Sequence, residues 1–113
     1  MNEQLAPFRF LVHDNGNCSF LLYDVGEYKQ NIFDARADEG FEGGGYDWGS
    51  LAAVFLEEEV PHLAGDVGFD PEGSMFCAYS KNQAALEEFA LAFHRMCDDE
   101  KKMADLFSRA ELD

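Results

Sequence analysis

Apolar and polar residues alternate near the start of the chain, as expected for strands. Residues 8–14 (FRFLVHD) place alternate apolar side chains on one face. The Asn-Gly pair in residues 14–17 (DNGN) favours a tight hairpin turn, so the apolar residues CSFLLYDV after it predict a returning strand. A third strand is predicted over residues 27–34 (EYKQNIFD). Together these patterns indicate an antiparallel meander.

The apolar period changes from two to that of a helix after the glycine-rich residues 40–45. The helical stripe consists of Trp48, Leu51, Ala52, Phe55 and Leu56. This spacing predicts a helix over about residues 47–59, and Asp47 stands where an N-cap residue is expected. Because Trp48 lies on the stripe, we interpret it as a core anchor that ties the helix to the sheet.

A second hairpin is predicted over residues 68–80, where Asp-Pro-Glu-Gly supplies the turn. Its second strand is apolar on both faces, which indicates a central position in the sheet. Ser80 and Gln83 have the spacing of a capping box, and two apolar stripes after them predict two helices. The order β-β-β-α-β-β-α-α predicts an α+β fold. We expect one domain over residues 1–113, with about five antiparallel strands and three helices packed on one side of the sheet.

Charge is unevenly distributed along the chain. There are 23 acidic residues against 8 basic ones, and residues 37–80 contain no Lys or Arg. The carboxylates of that segment are Asp38, Glu39, Glu42, Asp47, Glu57, Glu58, Glu59, Asp66, Asp70 and Glu72. We expect these charges to be unopposed, so that the protein repels nucleic acid and anionic membranes and attracts a basic partner. Solubility alone is the other explanation for an acidic composition.

The motifs of enzymes and of cofactor sites are missing from the sequence. The glycine run lacks the Lys-Ser/Thr ending of a phosphate-binding loop, and the three histidines lie on different predicted elements. Successive helical residues point about 100° apart, so Glu57, Glu58 and Glu59 cannot converge on one ion or one substrate bond. We therefore expect no catalytic site, no metal and no cofactor.

Cysteine usage and the N-terminal residues predict a cytoplasmic protein. Cys18, Cys77 and Cys97 are odd in number and lie among apolar residues, which is typical of buried, reduced thiols. The first residues, MNEQLAPFRF, have neither the basic region nor the apolar stretch of a signal peptide.

The remaining class of function is recognition of another protein. Tyr46 and Asp47 precede the apolar stripe and are expected to face solvent, and Tyr is one of the residue types favoured at binding hot spots. The acidic residues around them extend this predicted partner-binding surface. Its members are Glu39, Glu42, Tyr46, Asp47, Glu57, Glu58 and Glu59.

Three stretches of the sequence resemble the immunity protein 51 family of bacterial polymorphic toxin systems. They are GFEGGGYDWGSLAAVFLEEEVP, FDPEGSMFCAYS and DLFSRAELD, and the resemblance spans roughly residues 40–113. It rests on the Gly-Tyr-Asp-Trp core and the Phe-Asp-Pro-Glu turn. The resemblance implies that the protein protects the producing cell by binding and blocking a cognate protein toxin.

Two mechanisms follow from these expectations. If the toxin has a basic active-site cleft, the acidic surface would steer association and occupy that cleft, with a mobile glycine loop adapting to the partner. The alternative is a small-molecule or metal-binding regulatory domain. In that case the glycine loop would be a lid over a pocket lined by Tyr46 and Tyr79.

Overall fold

The computed structural model describes residues 2–112, so the first and last residues of the expected domain 1–113 lie outside the described range. The helices are α1 (Asn2–Leu5), α2 (Gln30–Asp34), α3 (Gly45–Glu59), α4 (Gln83–Asp98) and α5 (Glu100–Phe107). The strands are β1 (Arg9–Val12), β2 (Cys18–Leu22), β3 (Gly68–Phe69) and β4 (Phe76–Ser80). Short 3-10 turns occupy Ala37–Glu39 and Pro61–Leu63. The α+β class is therefore confirmed.

The four strands form one antiparallel sheet in the order β1-β2-β4-β3. Both predicted hairpins are present, and β4 lies between β2 and β3, which confirms its central position. The second hairpin turns two residues later than expected, over residues 72–75 instead of 70–73, because Glu72 and Met75 exchange backbone hydrogen bonds around Gly73 and Ser74.

Helices α3 and α4 pack on the same face of this sheet through aromatic side chains. Phe20 of β2 contacts Phe89 and Phe93 of α4, with ring centroids 6.3 Å apart in each pair. Phe76 of β4 stacks on Phe93 at 5.7 Å and contacts Trp48 of α3 at 6.4 Å. Rings of this kind bury large apolar areas and favour stacked and edge-to-face geometry. They join the layers into one hydrophobic cluster.

Trp48 belongs to that cluster and is fully buried, which confirms its predicted role as a core anchor. Its ring lies 5.9 Å from Phe8, the residue before β1, and stacks on Tyr28 at the same distance. It also lies 5.0 Å from Phe33 of α2 and 6.1 Å from Phe93 of α4. One side chain therefore touches residues from five parts of the chain.

The predicted third strand is wrong, because residues 27–34 form a turn followed by helix α2. Ile32 and Phe33 are both buried. Adjacent residues of a strand point to opposite faces, whereas neighbouring residues of a helix can both face one core. The turn before α2 places Lys29 in the left-handed region, at φ 56°. Within residues 2–112 the sheet therefore has four strands rather than five, and there are five helices, including the unpredicted α1, rather than three.

Two predicted helix caps are also wrong. Gly44, not Asp47, is the N-cap residue of α3. For α4 the N-cap is Asn82, whose side chain accepts from the backbone N–H of Ala85 at 3.1 Å. The Ser80 hydroxyl accepts from the N–H of Asn82 instead of capping the helix directly. Within residues 2–112, every helix is too short or too polar to cross a membrane.

The glycine loop is packed against the rest of the protein. The N–H of Gly45 donates to the carbonyl of Gly73 at 3.1 Å, and the carbonyl of Gly43 accepts from Gly26 at 3.0 Å. Gly43 has φ 86°, a conformation that favours glycine. A Cβ on Gly45 would overlap the carbonyl oxygens of Glu72 and Met75. These contacts favour an architectural role for the loop over the expected mobile rim.

We expect Gly45→Ala to lower the free energy of unfolding by at least about 2 kcal/mol, because the new methyl group must displace backbone atoms. Gly65→Ala is the matched control, since a Cβ at Gly65 meets nothing within 4 Å. That variant should stay within about 0.5 kcal/mol of wild type. Urea unfolding of both variants gives the comparison. Equal midpoints would contradict the close approach of α3 to the 72–75 turn.

Candidate partner-binding surface

One side of helix α3 is exposed at both ends and half-buried at Gly49 and Ser50. Its residues are Tyr46, Gly49, Ser50, Ala53 and Glu57, which we call the α3 outer face. They recur at i, i+3, i+4, i+7 and i+11, on the side opposite the buried Trp48 stripe. Tyr46 is 49% exposed at the N-terminal end, and Glu57 is exposed at the other end. The residues between them are small, so a partner can approach the helix backbone closely.

Three of the seven predicted contact residues are engaged in ion pairs. Glu39 pairs with Arg36 at 2.8 Å, Glu58 pairs with Arg109 at 2.8 Å, and Glu59 pairs with Lys102. All three cations lie outside residues 37–80, in parts of the chain that the fold brings close. The expectation that the segment's charge is unopposed is therefore wrong at these positions.

Arg36 is itself held by the C-terminal segment. One guanidinium nitrogen donates to the carbonyls of Phe107 and Ala110, at 2.6 and 2.8 Å. The other side donates to both carboxylate oxygens of Glu39, at 2.9 and 2.8 Å. Hydrogen bonding from Arg36 holds the pKa of Glu39 below its usual value. Glu39 is therefore exposed but already has a partner.

Asp47 is buried, with 8% of its surface exposed, so the expectation that it faces solvent is wrong. Its Oδ2 accepts from the backbone N–H groups of Glu42 and Gly43, at 2.7 and 2.8 Å. Carboxylates are favoured in the first turn of a helix, where the N–H groups and the helix dipole are positive. Asp47 therefore holds the glycine loop against α3, and its carboxylate has little surface to offer a partner.

Glu42, Tyr46 and Glu57 are the predicted contact residues that are both exposed and free of ion pairs among residues 2–112. Tyr46 belongs to the first turn of α3. The two residues after it hold that turn in place, because Asp47 is bonded to the glycine loop and Trp48 is buried in the core. Glu42 precedes the helix, and only its backbone groups are bonded, to Asp47 and to Gln30. The side chains of all three point to solvent and can contact a partner.

Two grooves border the α3 outer face. The larger, which we call the lateral groove, has a volume of about 450 Å³. Its lining comes from α3, from the β3 side and from the C-terminal segment: Gly49, Ser50, Ala53, Val54, Glu57, Phe69, Pro71, Arg109 and Glu111. The smaller groove, of about 280 Å³, lies at the start of α3 and includes Glu42, Tyr46, Gly73 and Leu112. Sequence analysis missed the lateral groove because Pro71 and Glu111 are distant in sequence from α3.

Tyr46 and Tyr79 line different cavities, which removes the geometry expected for a glycine lid over a shared pocket. Tyr79 belongs to the open face of the sheet, which we define by the cross-strand row Leu11, Ser19 and Tyr79. Leu11 is 38% exposed and Tyr79 is 48% exposed. This second exposed surface was also missed, although strand alternation places these three residues on the side away from the core.

The buried thiols agree with the expectation from the sequence. All three cysteines are free and buried, and burial raises the pKa of Cys77 and of Cys97. A raised pKa keeps a thiol protonated at neutral pH and therefore weakly nucleophilic. Within the described part of the chain, no group of three or more His, Cys, Asp or Glu side chains is placed to hold a metal ion.

Removing the Asp47 carboxylate should destabilise the start of α3. We expect Asp47→Ala to lower the free energy of unfolding by about 2 kcal/mol, the scale of losing buried hydrogen bonds to a charged acceptor. Asp47→Asn keeps an acceptor oxygen and should cost less. Urea unfolding of both variants tests this, and an Asp47→Ala variant as stable as wild type would contradict the proposed role of the carboxylate.

The Glu58 and Arg109 pair should make stability depend on acid pH. Hydrogen bonding from Arg109 lowers the pKa of Glu58 and of Asp105 below their usual values. A carboxyl group with a lowered pKa stabilises the fold above its unfolded pKa of about 4.3, and this contribution is lost as pH falls through the folded value. The stability difference between wild type and Glu58→Gln should therefore shrink from pH 7 to pH 3.

Urea midpoints at both pH values measure this difference. Glu57→Gln is the control, since it removes the same charge one residue earlier without breaking an ion pair among residues 2–112. A difference that is constant with pH would show that the ion pair does not stabilise the folded state.

Comparison with known proteins gives one positive finding. Neither the curated proteins nor the solved structures contain a significant match to this chain. A family model, Immunity protein 51, matches residues 8–112, which is nearly the whole chain and extends the resemblance to the N-terminal hairpin. The chain therefore belongs to the Immunity protein 51 family.

Proposed function

We propose that this protein neutralises a cognate toxin domain by binding it through the α3 outer face and Glu42. Membership of the Immunity protein 51 family supports an immunity function and, in general terms, a toxin as the partner. The observation that carries the choice of surface is the exposure of Glu42, Tyr46 and Glu57 beside two grooves. The proposed place of action is the cytoplasm of the bacterial cell that makes the toxin.

Charge supports this surface as the site of encounter. The turn that packs against the start of α3 carries Asp70 and Glu72, both exposed and without ion pairs among residues 2–112. With Glu42 and Glu57 they add four carboxylates near one helix, in a chain of net charge −15. Such a field speeds association with a cationic protein surface and disfavours nucleic acid and anionic membranes. A toxin with a basic active-site cleft fits this charge.

The position of Tyr46 also favours this surface, and we expect this residue to contribute a large share of the binding free energy. A tyrosine on a fixed helical turn buries a large amphipathic area with little loss of conformational freedom, and tyrosine is enriched among hot spots. The surrounding small residues of α3 leave room for the partner to pack against the ring. Glu39, Glu58 and Glu59 remain members of the proposed surface, but each must be shared with the cation that already binds it. Asp47 contributes by holding the loop in place.

The test needs a cognate toxin domain, which the proposal expects to be encoded beside the gene for this protein, and the toxin is produced with and without the immunity protein. Wild type should restore growth of cells that express the toxin and should co-purify with it. The surface variant is Glu42→Gln, Tyr46→Ser and Glu57→Gln combined. The matched control is Glu3→Gln, Tyr23→Ser and Glu87→Gln, which also removes two charges and one solvent-facing tyrosine.

We expect the surface variant to bind the toxin at least roughly 30-fold more weakly than wild type, since one hot-spot residue is worth about 2 kcal/mol or more. The control variant should bind normally. Wild-type association should also slow as salt rises, because screening shortens the range of the field. Normal binding by the surface variant, together with loss of binding in a Leu11→Ser and Tyr79→Ser variant, would move the interface to the open face of the sheet.

A further inference from the structure

We propose that the lateral groove receives an arginine or lysine side chain of the partner protein. This inference rests on the proposed function, because it assigns partner chemistry to a groove that borders the α3 outer face. It adds Glu111 and the apolar floor of the groove to the surface. The partner-binding surface predicted from the sequence included neither Glu111 nor the apolar residues of the groove floor.

The floor of the groove is apolar, and it is deeper at Gly49 because glycine has no side chain. Gly49 presents only backbone there, and a Cβ at this position would lie 3.2 Å from Cγ of Pro71. Val54, Phe69 and Pro71 are half-buried, so part of their apolar surface remains accessible. The methylene stem of an arginine or lysine packs on such a surface while its charged head stays at the rim.

The rim of the groove provides carboxylates that lack partners. Glu57 and Glu111 line the groove, are exposed, and form no ion pair or side-chain hydrogen bond among residues 2–112. They come from the last turns of α3 and from the C-terminal segment, so they approach the groove from different elements. A cationic head between them would gain charge-assisted hydrogen bonds.

Arg109, the one basic residue among residues 2–112 that lines this groove, is already bonded to other carboxylates. Its Nε and Nη2 donate to Glu58 at 2.8 to 3.1 Å, and Nη2 also donates to Asp105 at 3.0 Å. These bonds raise the pKa of Arg109 further above its usual value, so it remains charged and bound. Arg109 therefore holds the groove wall in place, and two carboxylates at the rim stay unneutralised.

A cationic side chain fits these features better than other occupants do. An anion would face Glu57 and Glu111, and an uncharged apolar group would leave both carboxylates partly desolvated without a counter-charge. Arginine offers a planar fork for two carboxylates, and lysine offers a compact ammonium group. The volume of about 450 Å³ accommodates either side chain.

A titration without any toxin tests the chemistry of the groove. The probe is N-acetyl-arginine methylamide added to the ¹⁵N-labelled protein, and the neutral comparison is the citrulline analogue. We expect saturable shifts at the amides of Gly49, Ser50, Ala53 and Glu57 with arginine and none with citrulline. The variant Glu57→Gln with Glu111→Gln should bind arginine at least fivefold more weakly, whereas Glu3→Gln with Glu87→Gln should bind as wild type does.

Arginine-induced shifts spread over all exposed carboxylates, or shifts unchanged in the Glu57→Gln and Glu111→Gln variant, would overturn the proposal.

Measurements of toxin affinity distinguish failure of this proposal from failure of the proposed function. Glu111→Gln alone, outside the α3 outer face, should weaken toxin binding about tenfold. Normal binding by this variant, with weakened binding by the Glu42, Tyr46 and Glu57 variant, would reject the groove and leave the immunity function standing. Failure of wild type to bind the toxin would reject the proposed function, while the arginine titration would still decide the groove.

Discussion

The packing of the Trp48 indole is the constraint on which the rest of the structure depends. Through it α3 is joined to Phe8 just before β1, to α2, to β4 and to α4. The indole nitrogen has no hydrogen-bond partner among the described residues, and an unpaired buried N–H costs about 1 to 3 kcal/mol. Burial of roughly 200 Å² of aromatic surface at about 25 cal/mol per Å² gives about 5 kcal/mol, so packing outweighs the lost hydrogen bond. The shape of the indole, more than its polarity, therefore determines where α3 lies.

The packing of Trp48 also determines how the α3 outer face is oriented. The buried stripe and the α3 outer face belong to one rigid element, so the orientation of Tyr46 follows from the packing of Trp48. Asp47 and the close contact of Gly45 with the 72–75 turn complete the helix start. A tryptophan, an acidic residue and a glycine run therefore occur together because they build one junction. Close approach of the backbone to the 72–75 turn explains the glycines at Gly44 and Gly45.

Sequence patterns were sufficient for the elements with long, regular periods. The α3 stripe from Trp48 to Phe55 and the α4 stripe from Leu86 to Cys97 are buried as predicted. Short segments were not decided by pattern, because residues 27–34 contain only three apolar residues, Tyr28, Ile32 and Phe33, and the adjacent pair Ile32 and Phe33 can share one face of a helix. The site was harder to predict, since ion pairs such as Glu58 with Arg109 join residues 51 positions apart. The sequence order of charges therefore could not show which carboxylates stay free.

For the proposed recognition of a toxin, the identity of the carboxylates that remain outside ion pairs matters more than the total negative charge of the chain. An ion pair on the surface contributes little to stability. It does change recognition, because a paired carboxylate must first release the cation of its own chain before it can bind a cation of the partner. Arg36, Lys102 and Arg109 neutralise part of the acidic segment and leave Glu42 and Glu57 at the two ends of the α3 outer face. Glu111, which has no ion pair among residues 2–112, lines the lateral groove together with Glu57. In the proposed interface, free carboxylates at fixed separations would match only certain cation positions on the toxin, whereas a uniformly acidic surface would attract any basic protein.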